Sequence, residues 1–195
     1  MIAAYSVIGL LGFAVIWAVV AYNGLVEARV KKDKAWHEIS ARMKRRYNLI
    51  PILVETVKRH AGYEREIIEN VVLARNMAAT TNGSPAAQAA AENRLTESLR
   101  LLFAVAETYP EFKDNQVYMG IQAQLAEEAE HIHEAQARYN DAVRSLNDKI
   151  DTFPSSHVAD MFGFEASESF DLDEGKQASA PAAPMAMMLK FGGSW

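Results

Sequence analysis

The stretch YMGIQAQLAEEAEHIHEAQARYNDAVRSLNDKIDTF, residues 118–153, decides the fold. Tyr118, Leu125, Ile132, Tyr139, Leu146 and Phe153 recur every seven residues, supported by Ile121, Val143 and Ile150. Seven residues make two helical turns, so these side chains form one stripe down a helix of roughly 40 residues that ends at Phe153-Pro154. A stripe of that length must be covered by other helices.

Working back toward the N-terminus, further helical segments supply that cover. A segment over about 86–107 places Leu95, Leu99, Leu102, Phe103 and Ala106 on one face, and Thr108-Tyr109-Pro110 ends it. Before it, Thr81-Asn82-Gly83-Ser84-Pro85 is a break: Asn-Gly stops one helix, while Ser84 as N-cap and Pro85 in the first turn start the next. Earlier still, Trp36, Met43, Ile50, Val57, Glu64 and Val71 share a seven-residue register with Ile39, Arg46, Leu53, His60, Ile67 and Ala74. Only Arg46, His60 and Glu64 among these are not apolar. Pro51 falls inside the register, which predicts a kinked helix or two stacked helices rather than a reversal. The fold class is therefore all-α, an antiparallel bundle of long helices joined by short polar loops.

The first 26 residues carry no charged side chain, and Ile2 to Tyr22 is almost wholly apolar. Twenty-one helical residues rise about 31 Å, the thickness of a bilayer's hydrocarbon core. Residues 1–26 thus read as a transmembrane anchor. A secretory signal is the rival, since Val19 and Ala21 form a possible cleavage pair, but no basic residue precedes the run and it is long for an h-region. A buried core helix fits less well, because no polar residue interrupts the run's last stretch before Asn23. Arg29, Lys31, Lys32 and Lys34 follow closely, so the basic-residue bias places residues 27–164 in the cytoplasm, with Trp17 and Tyr22 near the interfaces. The location expected is a bacterial inner membrane, crossed once, with the N-terminus outside.

Cysteine is absent, which excludes disulfides, thiolate zinc sites and a cysteine nucleophile. The net charge of −5 gives no general argument for nucleic acid, and there is no aromatic interleaving or nucleic-acid motif. Beyond Pro154, Ser155-Ser156 cap a short helix through Val158, Met161 and Phe162 that Gly163 ends. Residues 165–184 read as an acidic, Pro- and Ala-containing tail. Met185, Met187, Met188, Leu189, Phe191 and Trp195 are too apolar for a free linker; they pack on their own bundle or dock on a neighbouring subunit.

Several phrases, taken in order, resemble the LemA family of membrane-anchored helical proteins, which includes members on magnetosome membranes. They are Tyr22-Asn23-Gly24-Leu25-Val26, Ala35-Trp36, Lys44-Arg45-Arg46-Tyr47-Asn48-Leu49-Ile50-Pro51 and Val54-Glu55-Thr56-Val57-Lys58. Further on come Ala74-Arg75, the run Phe103-Ala104-Val105-Ala106-Glu107-Thr108-Tyr109-Pro110, Tyr139-Asn140-Asp141-Ala142-Val143, Phe153-Pro154 and Phe162-Gly163-Phe164. The resemblance implies an N-terminal span, a cytoplasmic antiparallel bundle and no established enzymatic activity. Asn48, Ile52, Glu128-Ala129, His131, Gln136 and the Met-rich terminus depart from the common pattern, so a partner surface on the fourth helix or the tail is particular to this chain.

Candidate chemistry is sparse. Glu128 with His131, and Glu130 with His133, have metal-ligand spacing on one helix, but the two pairs point roughly 200° apart. A di-iron bundle needs such pairs on separate helices. A solvated acidic face is the simpler reading; a metal-dependent oxidoreductase is the alternative from the enzyme class. Arg46, Glu64 and Glu128 are charges inside apolar registers, which snorkel outward or form buried pairs; Arg46 and Glu64 stand about 27 Å apart along a continuous helix and cannot pair with each other. Arg29, Lys31, Lys32 and Lys34 lie close enough to attract anionic lipid. Arg42, Lys44, Arg45 and Arg46 lie several Debye lengths out, as a partner-facing patch or a solvated face.

The sequence thus predicts a membrane-anchored scaffold or interaction protein without catalysis or cofactor. Its expected partners are the lipid bilayer, further copies of itself and an unidentified protein, but not nucleic acid. A self-assembling membrane-organising protein is the alternative.

Overall fold

The structure, a computed structural model, describes residues 2–59 and 65–172. His60, Glu64 and the apolar terminus from Met185 to Trp195 lie outside the described residues. The helices run in the order α1 (Ile2–Lys58), α2 (Arg65–Thr80), α3 (Pro85–Ala106), α4 (Pro110–Lys113), α5 (Gln116–Asp151) and α6 (Ser155–Phe162), with no strand among the described residues. The chain is all-helical as expected, and divides into two units.

The second unit holds, of the described residues, those of 40–134 together with 170–172. Its core is built at heptad spacing: Met43, Ile50, Leu53 and Val57 from α1, Ile68, Val71, Ala74 and Ala78 from α2, Leu95, Leu99 and Leu102 from α3, and Tyr118, Ile121, Leu125 and Ile132 from α5. Ser84 accepts the Ala87 N–H at 3.3 Å and Pro85 opens α3, the start that the sequence predicts. The one-turn helix α4 was not foreseen. Its Phe112 is buried between Tyr109 (ring centroids 6.2 Å apart) and Tyr118 (4.9 Å), and Phe103 meets Tyr118 at 6.2 Å. Asn115 then caps α5, accepting the Tyr118 N–H at 3.1 Å.

Pro51 neither stacks two helices nor reverses the chain; α1 runs through it. A helical proline removes the N–H that would bond the carbonyl four residues back, here that of Tyr47. Arg75 Nε donates to that carbonyl at 3.3 Å instead. The same contact corrects the expected continuation: Arg75 and Ala78 lie beside Tyr47, so the chain reverses between α1 and α2. The apolar register crosses this reversal unchanged, which is why spacing alone did not show it.

The first unit holds residues 2–39 and 135–169. Leu25, Ala28, Leu146, Val158 and Ala159 form its buried cluster, with Trp17, Ala18, Ala21, Ile150 and Phe164 packed against it. Trp36 and Tyr139 rings lie 5.2 Å apart, Arg138 pairs with Glu38 at 2.7 Å, and Lys149 Nζ donates to the Gly24 carbonyl at 2.9 Å. Phe153, placed on the apolar stripe by its spacing, is exposed because α5 ends at Asp151.

Two sequence readings at the end of this unit need revision. Ser155 does not cap α6 but donates to the Lys149 and Thr152 carbonyls at 2.7 and 2.9 Å. Nor does a free tail begin at 165: Asn147 bonds Ser167 both ways (2.9 and 3.0 Å), and Tyr139 donates to the Glu168 carbonyl at 2.9 Å. Gly163 makes the turn into this segment in the left-handed region (φ 66°), where glycine carries no Cβ penalty. Phe164 N–H then closes on the Ala159 carbonyl at 3.0 Å, a Schellman end.

Candidate functional site

The most concentrated polar chemistry lies inside the second unit. Arg46 is only 6% exposed and Glu92 is fully buried; their Nη1 and Oε2 atoms lie 3.3 Å apart. Tyr47, next on α1, donates its hydroxyl to the other carboxylate oxygen of Glu92 in a short hydrogen bond. Arg46 Nη2 donates to Thr96 Oγ1 at 2.9 Å, and Gln88 Nε2 donates to the Ala78 carbonyl at 3.0 Å and to Tyr47 Oη at 3.2 Å. Gln88, Glu92 and Thr96 recur every four residues, so α3 presents all three on the side that carries Leu95 and Leu99.

Burial lowers the pKa of the Arg46 guanidinium, and the charge of Glu92 opposes that shift. Burial likewise raises the Glu92 carboxyl against the pull of Arg46, Tyr47 and Gln88, and raises the Tyr47 phenol, helped by the adjacent Glu92 charge. Each group is thus committed to another: the guanidinium to an acid and a hydroxyl, the carboxylate to its donors. The chemistry available is mutual recognition between α1 and α3. Buried polar groups left without such partners cost one to several kcal/mol each, about 1–3 for a neutral one.

The basic patch expected on the surface is therefore divided. Arg46 belongs to the interior, because Glu92 gives its charge a buried partner; a partner-facing role for it is withdrawn. Arg42 and Arg45 approach Glu128 on α5 at 3.7 and 4.0 Å, and Lys44 is exposed. Glu128 Oε2 is buried without a hydrogen bond, so this contact is looser than the one around Glu92. Glu64, the third charge in the registers, lies outside the described residues.

Glu128 and His131 are not brought together as ligands: His131 faces Glu127 at 3.6 Å and Glu134 at 3.8 Å. Past the apolar start of α1, Lys31 pairs with Glu27 at 2.7 Å and Lys32 with Asp33 at 3.2 Å, while Arg29 and Lys34 are exposed. Glu92 and Gln88 went unnoticed in the sequence. Carrying the Leu95–Leu99 spacing back by three and four residues reaches Glu92 and then Gln88, the signal that finds them.

Burial also raises two other phenols to about 12, Tyr118 next to Glu107 and Tyr139 near Asp33 and Glu168. An unfolded phenol ionises near pH 10, so between those values the folded chain holds protons that the unfolded chain releases. Stability from these groups is unaffected below pH 10 and falls as pH rises from about 10 to about 12. Urea midpoints measured across that range should drop, and the drop should be smaller in a Tyr118→Phe/Tyr139→Phe variant.

Among the described residues, nothing covers the apolar start of α1. Ile8, Leu10, Leu11, Phe13, Val15 and Ile16 are all exposed around the helix, whose mean hydropathy reaches 1.9 over an 18-residue window. Among the described residues, one helix is thus apolar and long enough to cross a membrane.

The phrases that carried the resemblance coincide with structural duties: Pro51 with Arg75, the aromatic turn from Phe103 to Phe112, and the Gly163 end of α6. No curated protein matches the chain. The LemA family, a membrane-associated family, matches residues 35–183. With most of its length matched, this chain belongs to the LemA family.

Proposed function

We propose that this protein is a membrane-anchored helical scaffold, without catalysis, that holds partner proteins at a bacterial inner membrane. The observation that carries this reading is that the charged groups of the bundle interior are spent on one another, Arg46 on Glu92 and Thr96, and Glu92 on Tyr47 as well. Such groups position helices, each of these turned to another side chain and not to solvent. The uncovered apolar start of α1 supplies the anchor, and Arg29, Lys31, Lys32 and Lys34 on its flank favour a cytoplasmic bundle.

A second copy of the chain is the partner best supported, as a membrane-organising assembly. Ile52 on α1 and Leu73 and Met77 on α2 are exposed apolar side chains, beyond what the core of the second unit uses. Crosslinking in native membranes followed by mass spectrometry tests both readings. Crosslinks from the bundle to a second copy or to one recurring protein are expected. Crosslinks confined within one chain would contradict them.

A further inference from the structure

The first unit carries an apolar surface that a membrane-spanning α1 does not account for. α6 buries Val158 and Ala159, yet Met161 is 78% exposed, Phe162 57%, and Phe153 in the preceding turn 73%. Isolated exposed apolar residues are ordinary, but these three fall within ten residues of chain beside the end of the anchor.

Their level along α1 is fixed by contacts within this unit. The Phe162 ring lies 4.8 Å, and the Phe164 ring 5.9 Å, from that of Tyr22, the last residue of the apolar run. Trp17, about 7.5 Å deeper along the helix, packs against the cluster that contains Val158 and Ala159. α6 therefore lies alongside the part of α1 where apolar residues give way to Asn23 and Glu27. For a helix that crosses a bilayer, this is the level where hydrocarbon meets headgroups. His157 and Asp160, also exposed, lie about 140° and 160° round α6 from Phe162 but about 40° and 100° from Met161, and the Phe153 and His157 rings are 5.7 Å apart, so polar and apolar side chains share the exposed surface, as suits the headgroup level. Just beyond it, Arg29 and Lys32 line a cleft of about 240 Å³ with Phe164, Glu165 and Ser167, which adds basic groups at headgroup height.

We propose that α6 and the Phe153 turn form a second membrane contact, lying in the interface with Phe153, Met161 and Phe162 inserted at the headgroup–acyl boundary. The occupant of this surface is the lipid bilayer itself. Continuity with the anchor's apolar surface at Tyr22 favours lipid over a protein partner. The proposal rests on the reading that α1 spans the membrane.

The absence of cysteine makes the test direct, because one introduced cysteine reports one place. Full-length Met161→Cys, carrying an environment-sensitive fluorophore, is reconstituted in vesicles of phosphatidylcholine with phosphatidylglycerol. Phe13→Cys marks the span and Leu101→Cys the water-exposed bundle. The label at 161 should shift to the blue and lose emission to nitroxide-bearing acyl chains but not to aqueous iodide. Quenching by iodide as at 101 overturns the proposal, and so does shielding from both quenchers, which means that protein covers the surface. If 13 is lipid-quenched while 161 is not, only the interfacial contact falls; if neither is lipid-quenched, the anchor reading falls with it.

Discussion

Replacing Glu92 by leucine alone should destabilise the bundle by about 3–5 kcal/mol, because Arg46 is left charged and buried with the neutral Thr96 hydroxyl as its remaining hydrogen-bond partner among the described residues. Replacing Arg46 by methionine alone should cost a similar amount, leaving a buried carboxylate with neutral donors only. The double variant Arg46→Met/Glu92→Leu should lose far less than the sum, since two apolar side chains of similar volume need no partner and Tyr47 can still donate to the Ala78 carbonyl at 3.3 Å. Urea unfolding of the detergent-solubilised protein, followed by helical circular dichroism, reads all three. Additive losses would show that the two residues do not act as a pair. The hypothesis behind the prediction is that the pair fixes which helices meet more than it adds net stability. A double variant as stable as the parent but with altered inter-helix distances, measured between spin labels on α1 and α3, would support it.

Placing two arginines in the apolar start of α1 should have the larger effect on location. Leu10 and Phe13 are exposed apolar side chains on the first half of α1. Each arginine near the middle of a span costs about 2.5–3.5 kcal/mol, so Leu10→Arg with Phe13→Arg adds roughly 6 kcal/mol against insertion. That is enough to move much of the protein out of the carbonate-resistant membrane fraction, whereas Leu10→Ile with Phe13→Leu should leave it there.

Most of the fold was legible because heptad spacing is a direct consequence of helix geometry, and the α3 start and the Gly163 end follow local rules that need no tertiary information. The reversal between α1 and α2 was not legible, since the apolar register of Val57 and Val71 stays in phase across it. Arg75 shows the same gap: a long polar side chain can complete a backbone carbonyl stranded by Pro51, and nothing in its spacing says so. The segment ending at Leu172 looked like a tail by composition, yet Phe170 and Leu172 are buried. Two apolar side chains and a few backbone hydrogen bonds hold it, too few to leave a periodic pattern. In the candidate site, Arg46 was visible as a charge in an apolar register. Its partner Glu92 was hidden because pairing across a bundle depends on which helices adjoin, not on sequence distance.

The account depends most on the apolar start of α1 being kept as a membrane span. Intact-mass measurement of the protein extracted from carbonate-washed membranes tests this directly. The account predicts a membrane-retained chain that still carries residues Ile2 to Tyr22. A chain beginning at Tyr22, recovered in the soluble fraction, would show a cleaved signal and contradict it.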